Sequence, residues 1–159
     1  MCEPCNHLGV LPELSELLTS IARQTHSPRL YGELGARAGL DVRPHLFGAL
    51  ARIRDLQPAR ITDVAEVMEG ERSTISRQIT ELTSLGLVAR AADPTDGRAV
   101  VVSLTPAGES VIGRVYDAWH EALGEMLAPW PDRDRTKLVA LLRRLDGALD
   151  QHFSSSTTP

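Results

Sequence analysis

Residues 61–104 read ITDVAEVMEG ERSTISRQIT ELTSLGLVAR AADPTDGRAV VVSL, and two changes of pattern within them decide the fold. Behind Thr62, a hydroxyl suited to cap a helix, Val64, Ala65, Val67 and Met68 recur at helical spacing, and Gly70 supplies the stop. A second helix is predicted from about Arg72 to Leu85, closed by Gly86. Its Ile75, Ile79 and Leu82 fall at i, i+4 and i+7, so they share one stripe and face a core. The pattern then turns to strand. Leu87–Arg90 and Ala99–Leu104 are rich in β-formers, and they flank Asp93-Pro94-Thr95-Asp96-Gly97-Arg98, whose Pro, Asp and Gly make a turn. Two helices in close succession followed at once by a hairpin make a helix-turn-helix with a wing.

The second helix turns Ser73, Arg77, Thr80 and Ser84 away from its apolar stripe, with Thr74 and Ser76 on the flanks. A helix that meets only water usually carries long charged side chains. Short hydroxyls let a helix axis approach base edges in a major groove, where Arg77 is long enough to reach guanine O6 and N7 or a phosphate. Arg98, in the hairpin turn, sits where a guanidinium enters the negative potential of a minor groove, and Asp96 is close enough to hold it by an ion pair. The plain alternatives are a solvated polar helix face and a hairpin with solvated charges.

Outward from this stretch the chain is helical. Leu14, Leu17, Leu18 and Ile21 form one amphipathic stripe over about residues 11–25, and Ser27-Pro28 interrupts it before a shorter helix to about Arg37. Asp41 is the expected cap of the next helix, with Pro44 in its first turn and Leu46, Phe47, Leu50 and Ile53 on its buried face. After Gln57-Pro58, residues 59–61 suit a single short strand. Thr105-Pro106 opens a long helix carrying Val111, Ile112, Val115, Trp119, Leu123 and Met126. Pro129-Trp130-Pro131 ends it, and Asp132 or Asp134 starts a last helix with Leu138, Leu141, Leu142, Leu145 and Leu149. These helices carry more apolar surface than one small winged lobe needs, which points to a dimer interface. The expected organisation is mainly α with a small β-hairpin wing: a winged helix-turn-helix region at 41–104 and a helical dimerisation region at 11–40 and 105–152. Residues 1–10 read as a flexible tail and residues 153–159 as a disordered one.

The 159 residues fit one domain, or two lobes sharing a core, and an apolar content of 42% with 4% aromatics is ordinary for a globular protein. No apolar run approaches the ~20 residues of a membrane span, and the first residues lack the basic and then apolar blocks of a signal peptide, so a cytoplasmic protein without a membrane partner is expected. Net charge is −4, and residues 59–104 hold five arginines against seven carboxylates. Any nucleic-acid contact therefore rests on a few placed arginines rather than a broad basic field. An enzyme is not expected. Ser73, Thr74 and Ser76 have no local His or Lys base, and neither a Gly-rich phosphate loop nor a two-histidine metal motif occurs, so no cofactor is implied. Cys2 and Cys5 form a C-x-x-C with His7 nearby, which reads either as a redox pair or partial metal site, or as a tail with two unpaired thiols.

The chain resembles the MarR family of bacterial winged helix-turn-helix regulators from about Leu40 to Gly108. The residues that carry the resemblance are Ser73-Thr74-Ile75-Ser76-Arg77, Leu82 with Gly86-Leu87-Val88, Arg90, Asp93-Pro94 with Asp96-Gly97-Arg98, and Leu104-Thr105-Pro106-Ala107-Gly108. It departs from the family pattern at Gly70, a usually apolar position, and at Glu71, which stands where the second helix is capped. The resemblance implies a homodimer that places two such helices in successive major grooves of a pseudo-palindromic duplex, with wing arginines in flanking minor grooves. It implies Ser73, Thr74, Ser76, Arg77 and Gln78 as groove contacts, Arg98 as the wing-tip residue and Asp96 as its anchor. It further implies a repressor released by a small phenolic or lipophilic effector, an oxidant or a metal. The effector pocket lies between the dimerisation helices and the winged lobe, with His26, Arg29, Tyr31, His45 and Trp119 as candidate lining. Two alternatives remain open: a winged helix that binds protein, which the acidic local charge suits, and a thiol- or metal-responsive repressor using Cys2 and Cys5.

Overall fold

The structure, a computed structural model, describes residues 9–68, 71–96 and 99–154. Its elements run α1 (Val10–Thr25), α2 (Pro28–Arg37), α3 (Pro44–Leu56), β1 (Ala59–Arg60), α4 (Ile61–Val67), α5 (Arg72–Ser84), β2 (Val88–Ala92), β3 (Val100–Leu104), α6 (Pro106–Leu127) and α7 (Asp132–Ser154). The expected mainly helical architecture with a small β wing is observed. Contacts divide the chain into two units, 1–119 and 120–159.

In the first unit α3 is the central element, packed against α2, α4, α5 and β3. Leu46, Phe47, Ala49, Leu50 and Ile53 are fully buried. Each of the larger ones stabilises by roughly 1.5–3 kcal/mol relative to exposure. Ile75, Ile79 and Leu82 of α5 enter the same core, as their spacing requires, and this sets which face of α5 looks outward. The sheet order is β1-β3-β2, antiparallel throughout, with Val88 opposite Leu104, Ala92 opposite Val100 and Ala59 opposite Val102. The first wing strand runs to Ala92, past the Arg90 at which the sequence suggested a stop, because Ala91 and Ala92 still have partners in Val101 and Val100. Gly86 ends α5 at φ 70°, a left-handed conformation that a side chain would strain.

The caps follow the sequence in part. Thr105 does cap α6: its Oγ1 accepts from the Gly108 N–H at 3.1 Å and donates to the Gly86 carbonyl at 2.7 Å. Two other caps are each displaced by two residues. Arg43 rather than Asp41 caps α3, since Pro44 restricts its predecessor to the extended conformation (φ −62°, ψ 134°) that a cap position needs. Arg60 rather than Thr62 opens α4. Its pairing with Val101 holds it extended, and Asp63 accepts the Arg60 N–H at 3.2 Å. The Thr62 hydroxyl donates to Asp63 instead.

The amphipathic stripe of α1 is present, but α1 has no buried residue: Leu17 is 52% and Ile21 53% exposed. The second unit holds the last turns of α6 and the whole of α7. Here too the apolar side chains stay open, among them Met126, Leu141, Leu142 and Leu149, and none of residues 132–152 is buried. α7 continues to Ser154, two residues into the segment whose composition suggested a tail. Residues 1–8 with Cys2, Cys5 and His7, the turn residue Gly70, the wing-tip Arg98 and residues 155–159 lie outside the described residues. Among the described residues no helix is long and apolar enough to cross a membrane.

Candidate nucleic-acid interface

α5 carries the candidate contacts on one outward face. Ser73, Thr74 and Arg77 are exposed, and Ser76 and Gln78 are half-buried. Glu71 occupies the cap position without accepting a side-chain cap bond; its backbone carbonyl receives the Thr74 and Ile75 N–H groups at 2.9 and 3.1 Å. The hydroxyls further along the helix fold back on it. Thr80 donates to Ser76 O at 2.8 Å and Ser84 to Glu81 O at 2.7 Å, so their protons are used and the surface they offer is short and smooth. Arg77 makes no ion pair among the described residues and stands beside a shallow hollow of about 500 Å³. Gln78 differs from the other candidates: its carbonyl oxygen is buried and has no hydrogen-bond partner among the described residues.

The acidic balance of this region has a structural explanation. Three of its carboxylates are engaged rather than spread over the face. Glu81 lies 3.1 Å from Arg43 and 3.6 Å from His45, Asp63 caps α4, and Asp93 is paired with Arg60. Charge counting treats these groups as free, and the Arg43–Glu81 and Arg60–Asp93 pairs join elements too distant in sequence for any local pattern to reveal them.

Asp93 is the one buried charged residue among those described, and it fixes the root of the wing. Its Oδ2 accepts from Arg60 Nε at 2.7 Å and Nη2 at 2.6 Å. Its Oδ1 accepts from the Thr95 hydroxyl and N–H, each at 2.7 Å, and from the Asp96 N–H at 3.3 Å. The Thr95 hydroxyl and N–H, then the Arg60 guanidinium, hold the Asp93 carboxyl well below the usual carboxylate range, and the same hydrogen bond raises Arg60. The turn closes through Ala99 N–H to Asp96 O at 2.8 Å. Arg90 of β2 donates to Thr80 of α5 at 2.8 Å, so the wing's first strand is tied to the outward face of the helix. Sequence reading singled out Asp96 and Arg98 at the tip but missed the Arg60–Asp93 pair at the root. The only local signal was Asp93 itself, directly before Pro94.

Two further hollows of the first unit meet at Tyr31 and Tyr116. The larger, about 630 Å³, is lined by His26, Tyr31, Arg52, Asp55, Met68 and Tyr116 among others. The smaller, about 180 Å³, shares Tyr31 and Tyr116 with it and adds Leu30, Leu34 and Trp119. Arg52 reaches from His26 Nε2 (3.2 Å) to Asp55 (3.5 Å) across the larger one. Burial, followed by the neighbouring Tyr116, raises the Tyr31 phenol above its ordinary value. Of the residues suggested for an effector pocket, the structure brings His26, Tyr31 and Trp119 to these hollows. Arg29 and His45 line neither, and His45 stands instead beside Glu81 next to α5.

Residues 44–100 match the model of the MarR family. An HTH-type transcriptional regulator of Bacillus subtilis strain 168, YxaD, is 29% identical over 62% of this chain. It and a second curated relative are matched over 69% and 63% of their own lengths. Among solved structures, a probable transcriptional regulator from Pseudomonas aeruginosa is 30% identical, with a TM-score of 0.57 over 83% of this chain and 98% of that one. A MarR family protein from Bacillus stearothermophilus, 23% identical, shares the fold at a TM-score of 0.74 over 90% and 97% of the two chains. YxaD and the Pseudomonas aeruginosa protein are named as regulators of transcription, not as enzymes. With the winged helix-turn-helix and the 44–100 match in agreement, the chain belongs to the MarR family of transcriptional regulators.

Proposed function

We propose that this protein is a homodimeric, sequence-specific DNA-binding repressor of the cytoplasm, released from its operator by a small ligand. The observation that carries the DNA reading is the outward face of α5: short hydroxyls around an arginine that has no ion-pair partner among the described residues, with the wing tied to the same face through Arg90. In this reading Ser73, Thr74, Ser76 and Arg77 meet base edges and phosphates in the major groove, and Gln78 contributes through its amide nitrogen. Arg98 enters the minor groove with Asp96 as its anchor. The acidic balance that suited a protein partner loses its weight once Glu81 and Asp93 are paired.

Dimerisation is supported by apolar surface left open on α1, and separately on α7 and the end of α6. A second copy of the chain is the occupant that sets two copies of α5 about 34 Å apart, one turn of a pseudo-palindromic duplex. Residues 11–40 and 105–152 form the dimerisation region in this reading, and residues 41–104 the DNA-binding one. The hollow bounded by His26, Tyr31 and Arg52 suits an effector with an apolar body and one acidic or hydrogen-bonding group. A ligand that binds better to a dimer with another helix spacing lowers DNA affinity by that difference and no more.

The test is a salt-series titration of the protein on duplexes flanking its own gene and on scrambled duplexes of equal length. Preferential binding that weakens steeply with salt supports the reading. Equal, feeble binding to every duplex in a random-sequence selection refutes it.

A further inference from the structure

The hollow beside α5 has one wall that the recognition helix does not supply. Arg43, the residue before Pro44 and the cap of α3, lines it together with Ser76, Arg77, Thr80, Glu81 and Ser84. Its side chain is 72% exposed and held by Glu81 of α5 through Nη1–Oε1 at 3.1 Å. We infer that Arg43 is a phosphate-binding residue of the DNA interface, which extends the binding face from α5 onto the start of α3. The inference rests on the DNA-binding reading above.

Three physical points support it. A helix with its side chains is about 10–12 Å across and the major groove about 12 Å wide, so what lies immediately beside a groove-bound helix meets the sugar-phosphate backbone rather than the bases. Arg43 occupies that flanking position, next to the face that carries Ser76 and Arg77. The guanidinium also has donors to spare. Glu81 engages one edge, while the fork presents five N–H groups, and the exposed remainder opens toward the hollow. Finally, Glu81 is a carboxylate lining the hollow on the helix that approaches DNA, and left alone it repels a phosphate. Arg43 cancels that charge in the free protein. Because an exposed ion pair is weak in water, sharing or exchanging Glu81 for a phosphate costs little. One arginine therefore both screens Glu81 and binds the backbone.

The experiment compares wild type with Arg43→Ala, Arg43→Lys, Glu81→Gln and the Arg43→Ala/Glu81→Gln double variant. Each is titrated over a salt series on the best-binding duplex and on a scrambled one. Arg43→Ala is expected to weaken both duplexes by the same factor, about eightfold per lost contact at 0.1 M salt, and to reduce the slope of log K against log salt by about 0.9 per contact. The preference between duplexes stays unchanged. Arg43→Lys keeps the wild-type slope. Glu81→Gln tightens both complexes, and in the Arg43→Ala background it recovers part of the loss. Wild-type affinity and slope in Arg43→Ala overturn the inference while leaving the DNA reading intact. So does a loss without a change of slope that Arg43→Lys fails to rescue, since that pattern marks a structural role. A wild-type protein with no salt-dependent duplex binding overturns the DNA reading itself, and the inference with it.

Discussion

Gly108 is the position where a single methyl group should do most harm. It lies in the first turn of α6, under the point where α5 hands over to the wing. A Cβ built there falls 3.1 Å from the Leu87 carbonyl carbon and 3.4 Å from Leu104 Cβ, and it meets the Leu87 oxygen closer than the 3.0 Å that real Cβ atoms respect. That oxygen cannot swing aside freely, because it accepts the Thr105 N–H at 3.0 Å. Relief therefore requires the backbone at Leu87 to move, and Val88, the first residue of β2, with it. Overpacking of this kind costs about 1–3 kcal/mol, and a weakened backbone hydrogen bond adds about 1 kcal/mol. Alanine's better helix propensity returns roughly 1 kcal/mol, so Gly108→Ala should be less stable by about 1–3 kcal/mol. At roughly 2–4 °C per kcal/mol for a chain of this size, the melting temperature falls by about 2–12 °C. Gly113, on the same helix, has nothing within 4 Å of its virtual Cβ. There the propensity gain of about 0.5–1 kcal/mol stands alone, and Gly113→Ala should melt higher. Circular dichroism melts at one fixed protein concentration check both, since self-association of any kind makes stability depend on concentration. If Gly108→Ala melts at or above wild type, as Gly113→Ala should, the close approach of α6 to Leu87 is wrong.

Three further outcomes follow from the same geometry. Arg77→Ala should lower affinity and also reduce discrimination between the best and a scrambled duplex, by about 1–3 kcal/mol if the arginine reads a base; an unchanged ratio of affinities would limit Arg77 to the phosphates. Asp93 is held below the ordinary aspartate value of 3.8 by Thr95 and Arg60, so its contribution to stability is fully present above that value and is lost as pH falls below it. Asp93→Asn should therefore be less stable near neutral pH and show a flatter loss on acidification, and denaturant melts from pH 7 to pH 2 that run parallel to wild type would contradict the pairing. Ile21→Glu, placed on the uncovered face of α1, should shift the sedimentation coefficient toward that of a monomer and abolish cooperative duplex binding without unfolding the first unit, whose core lacks that side chain. A dimer that persists would put the interface elsewhere.

What could be read without coordinates was local. The spacing of Ile75, Ile79 and Leu82 fixed the inward face of α5, and with it the outward face of Ser73 and Arg77, because a helix has a single period. Thr105-Pro106 marked the start of α6, and Gly86 the end of α5, from the conformational preferences of three residue types. Features that depend on chain segments meeting in space were not legible. Which residue caps α3 or α4 depended on Pro44 constraining its predecessor and on the pairing of Arg60 with Val101. The Arg60–Asp93 and Arg43–Glu81 pairs bring together side chains from β1 and the wing, and from α3 and α5, so the acidic composition misdescribed the surface that those pairs create. Gly108 stood out in the sequence only as part of a motif. Its necessity comes from the Leu87 carbonyl, which the tertiary fold brings against it. Periodicity specifies how one element presents its side chains; which groups those side chains meet is decided by packing, where contact distance and sequence distance are unrelated.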